Sequence, residues 1–231
     1  MIDTISDWLA PLQASLATRG DDLLESLGET GYMLAVSLAA AVVLGIPLGM
    51  TVYLTRAGGI VPHRAVFAVG NFAINLVRSF PFLLLVVFLV PVTRAVYGTT
   101  FGTPAATFSL CIVAIAIYGR LVEQILREIS PGIPRVAATL GATVPQTVTR
   151  FLLPEAIPGL VYALTSASIS LLSYSTVLGV VGGGGIGDFA LRYGYQEYDY
   201  PLMYLTIAII LLIVLAIQAV GQRVSLRLDH R

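Results

Sequence analysis

The chain has 231 residues, of which 57% are hydrophobic and only 11% are charged, and its formal net charge is zero. Soluble domains carry about 25% charged residues, so the composition excludes an ordinary soluble protein and predicts a polytopic membrane protein. Cys111 is the only cysteine, which excludes a disulfide framework and a cysteine-rich metal site.

The first 30 residues form an acidic segment in which apolar side chains recur at helical spacing. Six carboxylates accompany a single arginine, Arg19, and Trp8 lies on the apolar face. The pattern predicts an extracytoplasmic amphipathic helix that either lies on the membrane surface or forms a solvated arm packed on the spans. The segment lacks the basic start and continuous apolar core of a cleaved signal peptide.

Five apolar stretches follow, and they predict an all-α integral membrane protein with five transmembrane helices. They cover residues 31–55, 65–92, 105–126, 156–182 and 201–220. The second is too long for one straight crossing and too short for two, so we expect a break at Pro81. Arg78, beside this break, is interpreted as a helix-end residue rather than as a contact for an anionic solute. Arg120 and Glu123 are three residues apart in the third stretch and are expected to pair.

A semi-polar segment, residues 129–155, separates the third stretch from the fourth. Ser130-Pro131 is typical of a helix start, and Gly141 of a helix stop. Thr143 and Gln146 have the spacing of a capping box, which predicts that a second helix begins there. The spacing of the apolar side chains fits both a docking surface and a hairpin lying on lipid head groups.

The run RVAATLG, from Arg135 to Gly141, followed by Leu153-Pro154, resembles the EAA loop of binding-protein-dependent ABC importer permeases. Arg135 stands where the family usually has glutamate, and Val136 where it has the first alanine, so an ion pair made by that glutamate is not carried over. We expect the second loop helix to end at Leu153-Pro154. The residues assigned to ATPase coupling are Arg135, Val136, Ala137, Leu140, Gly141, Ala142, Thr143, Val144, Pro145 and Gln146.

The fourth stretch is rich in small and hydroxylated residues, which predicts a helix that packs against other helices. Ser166, Ser170, Ser173 and Tyr174 are candidates to line a solute pathway, although helix packing alone also explains them.

A glycine-rich segment follows the fourth stretch and is predicted to be either a flexible rim of an outer gate or a tight turn. The glycines concerned are Gly182, Gly183, Gly184, Gly185 and Gly187. Together with the runs Arg78–Phe82 and Leu153–Ala156, this segment resembles methionine-uptake ABC permeases.

The resemblance implies a permease subunit that, with a second copy of itself, forms the pathway for an amino acid, methionine above all. The partners that it implies are two cytoplasmic ATPase subunits, an extracytoplasmic solute-binding protein and the lipid bilayer. Nucleic acid is not among them. The sequence has no Walker A pattern and no lysine, so we do not expect an enzyme. ATP and magnesium are expected on the partner ATPase, with no cofactor or metal in this chain.

Five crossings place most of the arginines on the side of segment 129–155 and of the C-terminus. The positive-inside rule then predicts that this side faces the cytoplasm and that the N-terminus lies outside. The resemblance implies that the membrane is the bacterial inner membrane.

Two other classes of protein stay open. An ion-coupled secondary transporter or channel needs charged groups deep in its spans, and only Arg78 offers one. An intramembrane enzyme needs a buried catalytic group, but H-E-x-x-H is absent from the sequence, and His63 and His230 lie outside the predicted spans.

Overall fold

The computed structural model describes residues 2–228, with side chains from Leu12 onward, and this part of the chain contains helices and no strand. Trp8 and His230, singled out above, lie outside the described side chains. The helices are α1 (Ile2–Ala40), α2 (Ile46–Thr55), α3 (Arg64–Ser79), α4 (Phe82–Tyr97), α5 (Thr103–Glu128), α6 (Gly132–Thr139), α7 (Val144–Gln146), α8 (Leu153–Val180), α9 (Gly185–Phe189) and α10 (Tyr200–Leu228).

Within the described residues, four helices are long and apolar enough to cross a membrane, and the broken pair α3 and α4 supplies a fifth. This confirms the predicted fold class. The chain bends sharply between Ser79 and Phe82, so the predicted break at Pro81 is also confirmed. Arg78 lies exposed in the last turn of α3, which is the helix-end position predicted for it.

The first span and the acidic N-terminal segment belong to one long helical run. Helix α1 crosses residue 30 without a break, passes through a widened, π-type turn at Ala41–Gly45 and continues as α2 to Thr55. The predicted helix is therefore present, whereas the boundary between an extracytoplasmic segment and a membrane domain at residue 30 stays a prediction.

The expectation that a helix ends at Leu153-Pro154 is wrong. The helix that begins at Val144 continues past Pro154 to Val180, through a widened turn at Thr147–Leu152. In such a turn each carbonyl accepts a hydrogen bond from the N–H five residues ahead instead of four. This change lets the helix continue past Pro154, which has no N–H to donate. The segment thus contains one short helix, α6, and the start of a membrane-spanning one.

The chain divides into two units, and the first comprises residues up to 37, 82–110 and 169–216. Part of its core is a cluster of Leu23, Phe189 and Leu202, which are all buried. The Tyr193 ring packs edge-on against Phe189, with ring centres 5.0 Å apart. Leu23 of α1 is therefore covered by α9 and by the start of α10.

The second unit comprises residues 38–81, 111–168 and 217 onward, and its helices approach each other at glycines. A Cβ atom built on Gly49 of α2 would lie 2.2 Å from the carbonyl oxygen of Gly119 on α5. Next to Gly119 on α5, the Tyr118 hydroxyl donates to the carbonyl of Leu160 on α8 (3.1 Å). Small residues therefore bring these backbones together, as is common between membrane helices.

Replacing Gly49 with alanine is expected to lower the free energy of unfolding by about 1–3 kcal/mol, because the new methyl group has no space beside Gly119. The matched control is Gly28→Ala on α1, where a Cβ atom would meet no atom of the described side chains or backbone within 4 Å. That change should stabilise the helix by roughly 0.5–1 kcal/mol. Unfolding of the purified variants in detergent measures both effects, and equal shifts would contradict the close approach.

Candidate functional site

Segment 129–155 begins with a short capped helix. The Ser130 hydroxyl accepts a hydrogen bond from the N–H of Gly132, where α6 starts (3.3 Å). At the other end, Gly141 has φ of +69°, a conformation that favours glycine. The N–H of Gly141 donates to Ala138 and that of Ala142 to Ala137, which together form a Schellman cap. The predicted stop at Gly141 is confirmed, whereas the helix starts at Gly132, one residue later than the predicted first helical position at Pro131.

The predicted capping box is also present. The backbone N–H of Thr143 donates to Oε1 of Gln146 (2.8 Å), and the Thr143 side chain accepts from the N–H of Gln146. Pro145 occupies the first turn, where its missing N–H costs nothing. This helix runs on to Val180, so a continuous helix rather than a flexible loop connects Val144 to the fourth membrane-spanning stretch.

The segment anchors one side of α6 and exposes the other. Ala137 is fully buried, whereas Val136 is 53% exposed and Leu140 is 70% exposed. Val144, at the start of the next helix, is also exposed. Arg135 is exposed and has no charged partner among the described residues. The arrangement presents an apolar face flanked by one free guanidinium, which suits a protein partner with an apolar pocket.

A cavity of about 280 Å³ lies at the base of this segment. This open cavity is lined by the end of α5, the first turns of α8 and the last turns of α10. The hydroxyl of Ser225 donates to the carbonyl of Pro158 beside it (3.0 Å). Its lining residues are Ile125, Glu128, Ile129, Glu155, Pro158, Gly159, Tyr162 and Ser225.

All four candidate pathway residues lie on α8. Ser166, Ser170 and Ser173 form a row at spacings of four and three residues, and Tyr174 is adjacent to it. Ser166 and Ser173 are exposed, and their hydroxyls donate to carbonyls one turn earlier in the same helix, at 3.3 and 3.2 Å. Tyr174 stacks on Phe82, with ring centres 4.6 Å apart. A hydroxyl that donates to its own helix can still accept a hydrogen bond. Their role in a pathway stays a prediction.

The glycine-rich segment forms a turn followed by a helix. Gly182, Gly184 and Gly185 have φ between +74° and +81°, and α9 starts at Gly185. The carbonyl of Gly182 accepts from the N–H of Gly102 (2.9 Å). The tight turn predicted as one alternative is therefore present, and a gate function of the glycines stays a prediction.

The sequence interpretation missed two residues that hold this turn, Glu29 and Thr30 of α1. Their side chains accept hydrogen bonds from the N–H groups of Gly185 and Ile186, at 2.6 and 2.8 Å. In the sequence, Glu29 is one of six carboxylates in the N-terminal segment, and nothing distinguishes it from the others. No motif marks a contact between residues 156 positions apart.

The segment after α9 is also joined to α1 by side-chain contacts. The Tyr193 hydroxyl donates to the Asp22 carboxylate (2.9 Å), and this hydrogen bond raises the pKa of Tyr193 above its ordinary value. The Arg19 guanidinium lies 4.3 Å from the centre of the Tyr193 ring and pairs with Glu197. These contacts are exposed, so each one stabilises the segment only slightly.

Known proteins resemble this chain over nearly its whole length. A family model for the binding-protein-dependent transport system inner membrane component matches residues 41–231. The probable D-methionine transport system permease protein MetI of Vibrio cholerae is 38% identical over 229 residues, which cover 99% of each chain. The methionine import system permease protein MetP of Bacillus subtilis is 34% identical over 179 residues, which cover 78% of this chain and 81% of that protein.

Solved structures share the fold. A chain of the MetNI methionine ABC transporter, crystallised in inward-facing conformations, aligns with a TM-score of 0.87 and 36% identity. The alignment covers 90% of this chain and 96% of that one. A chain of an amino acid ABC transporter crystallised with histidines aligns with a TM-score of 0.77 at 17% identity, over 93% of this chain and 97% of that one.

Proposed function

This chain belongs to the family of inner-membrane components of binding-protein-dependent transport systems, and on that premise we propose that it is the permease subunit of a methionine importer. Segment 129–155 carries this proposal, because it combines a capped helix, an exposed apolar face and a direct helical connection into a membrane span. The methionine permeases that resemble the chain over most of its length support the choice of substrate.

The working complex contains two copies of this chain, two cytoplasmic ATPase subunits and an extracytoplasmic solute-binding protein. ATP and magnesium bind to the ATPase subunits, and this chain needs no cofactor. Five spans in one copy are few to enclose a solute pathway, so a symmetric pair is the simplest assembly. Segment 129–155 and the C-terminus face the cytoplasm, in accordance with the arginine distribution, and the glycine turn faces outward.

In the proposed cycle, ATP binding draws the two ATPase subunits together, and each carries α6 with it. The apolar side chains of Val136 and Leu140 transmit this force to the permease. Since α7 continues into α8 without interruption, the force reaches the span that bears Ser166, Ser170 and Ser173. The pathway then opens outward to receive methionine, and ATP hydrolysis returns it to the inward-open state.

Uptake by reconstituted protein tests this proposal. Liposomes containing the chain, its ATPase and the binding protein should accumulate labelled methionine when ATP is supplied on the ATPase side, and should not do so with a non-hydrolysable analogue. Labelled L- and D-methionine, tested separately, report the stereochemical preference. Accumulation by the permease alone, without the ATPase, would instead indicate a secondary transporter or channel.

A further inference from the structure

The glycine turn is held in place by two neighbouring side chains of α1. One carboxylate oxygen of Glu29 accepts from the N–H of Gly185 and the other from the hydroxyl of Thr103, each at 2.6 Å. The hydroxyl of Thr30, which is buried, accepts from the N–H of Ile186 (2.8 Å). These bonds join α1, the first turn of α5 and the start of α9, and we call them the Glu29 clamp.

The clamp and the turn fit each other sterically. Gly184 has φ of +74° and ψ of −163°, a backbone conformation open essentially to glycine alone. A Cβ atom on Gly184 would lie 2.6 Å from a carboxylate oxygen of Glu29, and one on Gly185 would lie 2.8 Å from the hydroxyl oxygen of Thr30. The glycines therefore let the backbone approach α1 closely enough to bond with its side chains.

Without such bonds, four consecutive glycines would occupy many conformations, because glycine loses more backbone freedom on ordering than any other residue. Other polar contacts between α1 and this region pair one side chain with another, such as Arg19 with Glu197 and Tyr193 with Asp22. The Glu29 clamp differs in binding backbone N–H groups, and Glu29 contributes a charged acceptor. It therefore fixes the direction in which the chain leaves the turn.

Resting on the function proposed above, we propose that Glu29 is a positioning residue for solute delivery. By holding the turn, it presents the outward-facing residues 185–199 in the one shape that the solute-binding protein engages. The clamp is required for the binding protein to stimulate ATP hydrolysis and methionine uptake. It is not required for attachment of the ATPase, which contacts segment 129–155.

Two substitutions distinguish the effect of the two Glu29 hydrogen bonds from the effect of its negative charge. Glu29→Ala removes both bonds. Glu29→Gln preserves them, since the amide oxygen accepts from Gly185 and the amide nitrogen donates to the hydroxyl oxygen of Thr103. In the full complex, Glu29→Ala should lower ATPase stimulation by the binding protein, and uptake, about tenfold, and Glu29→Gln should stay within about twofold of the unsubstituted protein. Basal ATPase activity and recovery of the complex should be unchanged in both.

Glu25→Ala is the matched control, because Glu25 lies one turn earlier on α1 and is exposed. It should behave as the unsubstituted protein does. Normal stimulation in Glu29→Ala would overturn the proposal. So would a loss of basal activity and of assembly, because Glu29 would then be a general folding residue.

Hydrogen exchange at the amides of Gly185 and Ile186 tests the clamp independently of transport. Glu29→Ala should speed exchange at both amides about tenfold or more, and Glu29→Gln should restore protection. Unchanged protection in Glu29→Ala would overturn the clamp. If the unsubstituted complex imports no methionine, the proposed function fails, and the exchange result still decides whether Glu29 holds the turn.

Discussion

Replacing Leu140 with aspartate is expected to detach the ATPase subunits while leaving the permease folded. Leu140 is 70% exposed at the end of α6, so its side chain contributes little to the fold of this chain. Burying a leucine in a partner's pocket is worth about 1.5–3 kcal/mol, and forcing a carboxylate into that pocket adds a desolvation penalty. Affinity for the ATPase should therefore fall at least about a hundredfold.

Co-purification of the ATPase with the permease, followed by uptake in liposomes, measures this effect. Leu140→Met is the matched control, because it keeps an apolar side chain of similar volume and should retain both binding and uptake. The aspartate variant should unfold at the same temperature as the unsubstituted permease when each is purified alone. Normal recovery of the ATPase with the aspartate variant would mean that α6 is not its docking surface.

The boundaries of α6 and the start of α7 could be predicted because each depends on a few adjacent residues. Gly141 adopts positive φ, a conformation in which glycine commonly ends a helix. Thr143 and Gln146 bond to each other's backbone within one turn. The break at Pro81 has the same local origin. A helix boundary that depends on adjacent residues can therefore be predicted from a short stretch of sequence.

Pro154 shows where such reasoning fails. A proline usually ends a helix, but the widened turn at Thr147–Leu152 accommodates this one, and nothing in the sequence indicates a change of hydrogen-bond register. The contacts of Glu29 were missed for another reason. They join residues far apart in the chain, and only the folded arrangement shows which of several acidic residues of α1 reaches the turn.

Glu123 combines both cases. Its pairing with Arg120 was predicted from their spacing and is confirmed, with 2.5 Å between the charged atoms. The sequence did not reveal that Glu123 is fully buried or that its other oxygen pairs with Arg127. Arg120 also donates to the side-chain oxygen of Asn71 on α3 (3.2 Å), so this one carboxylate organises a contact between two helices.

Removing the Glu123 carboxylate is expected to cost about 3–5 kcal/mol of the free energy of unfolding, as for other buried ion pairs that lose one partner. Glu123→Ala would leave the half-buried Arg120 without its counter-charge, and the Nε atom of Arg120 is already buried with no hydrogen-bond partner among the described residues. Glu123→Gln should cost less, since the amide oxygen still accepts one hydrogen bond. Unfolding of purified permease in detergent measures both variants.

The controls distinguish the effect on stability of removing a buried charge from that of removing any charge on α5. Glu128→Ala makes the same chemical change at an exposed position five residues later on α5 and should alter stability by less than about 0.5 kcal/mol. Arg127→Ala should cost less than Glu123→Ala, because the Arg127 side chain is 45% exposed and the buried Glu123 carboxylate keeps its pair with Arg120. If Glu123→Ala were as mild as Glu128→Ala, the carboxylate would not hold α5 against α3, and the packing of apolar side chains alone would have to account for that contact.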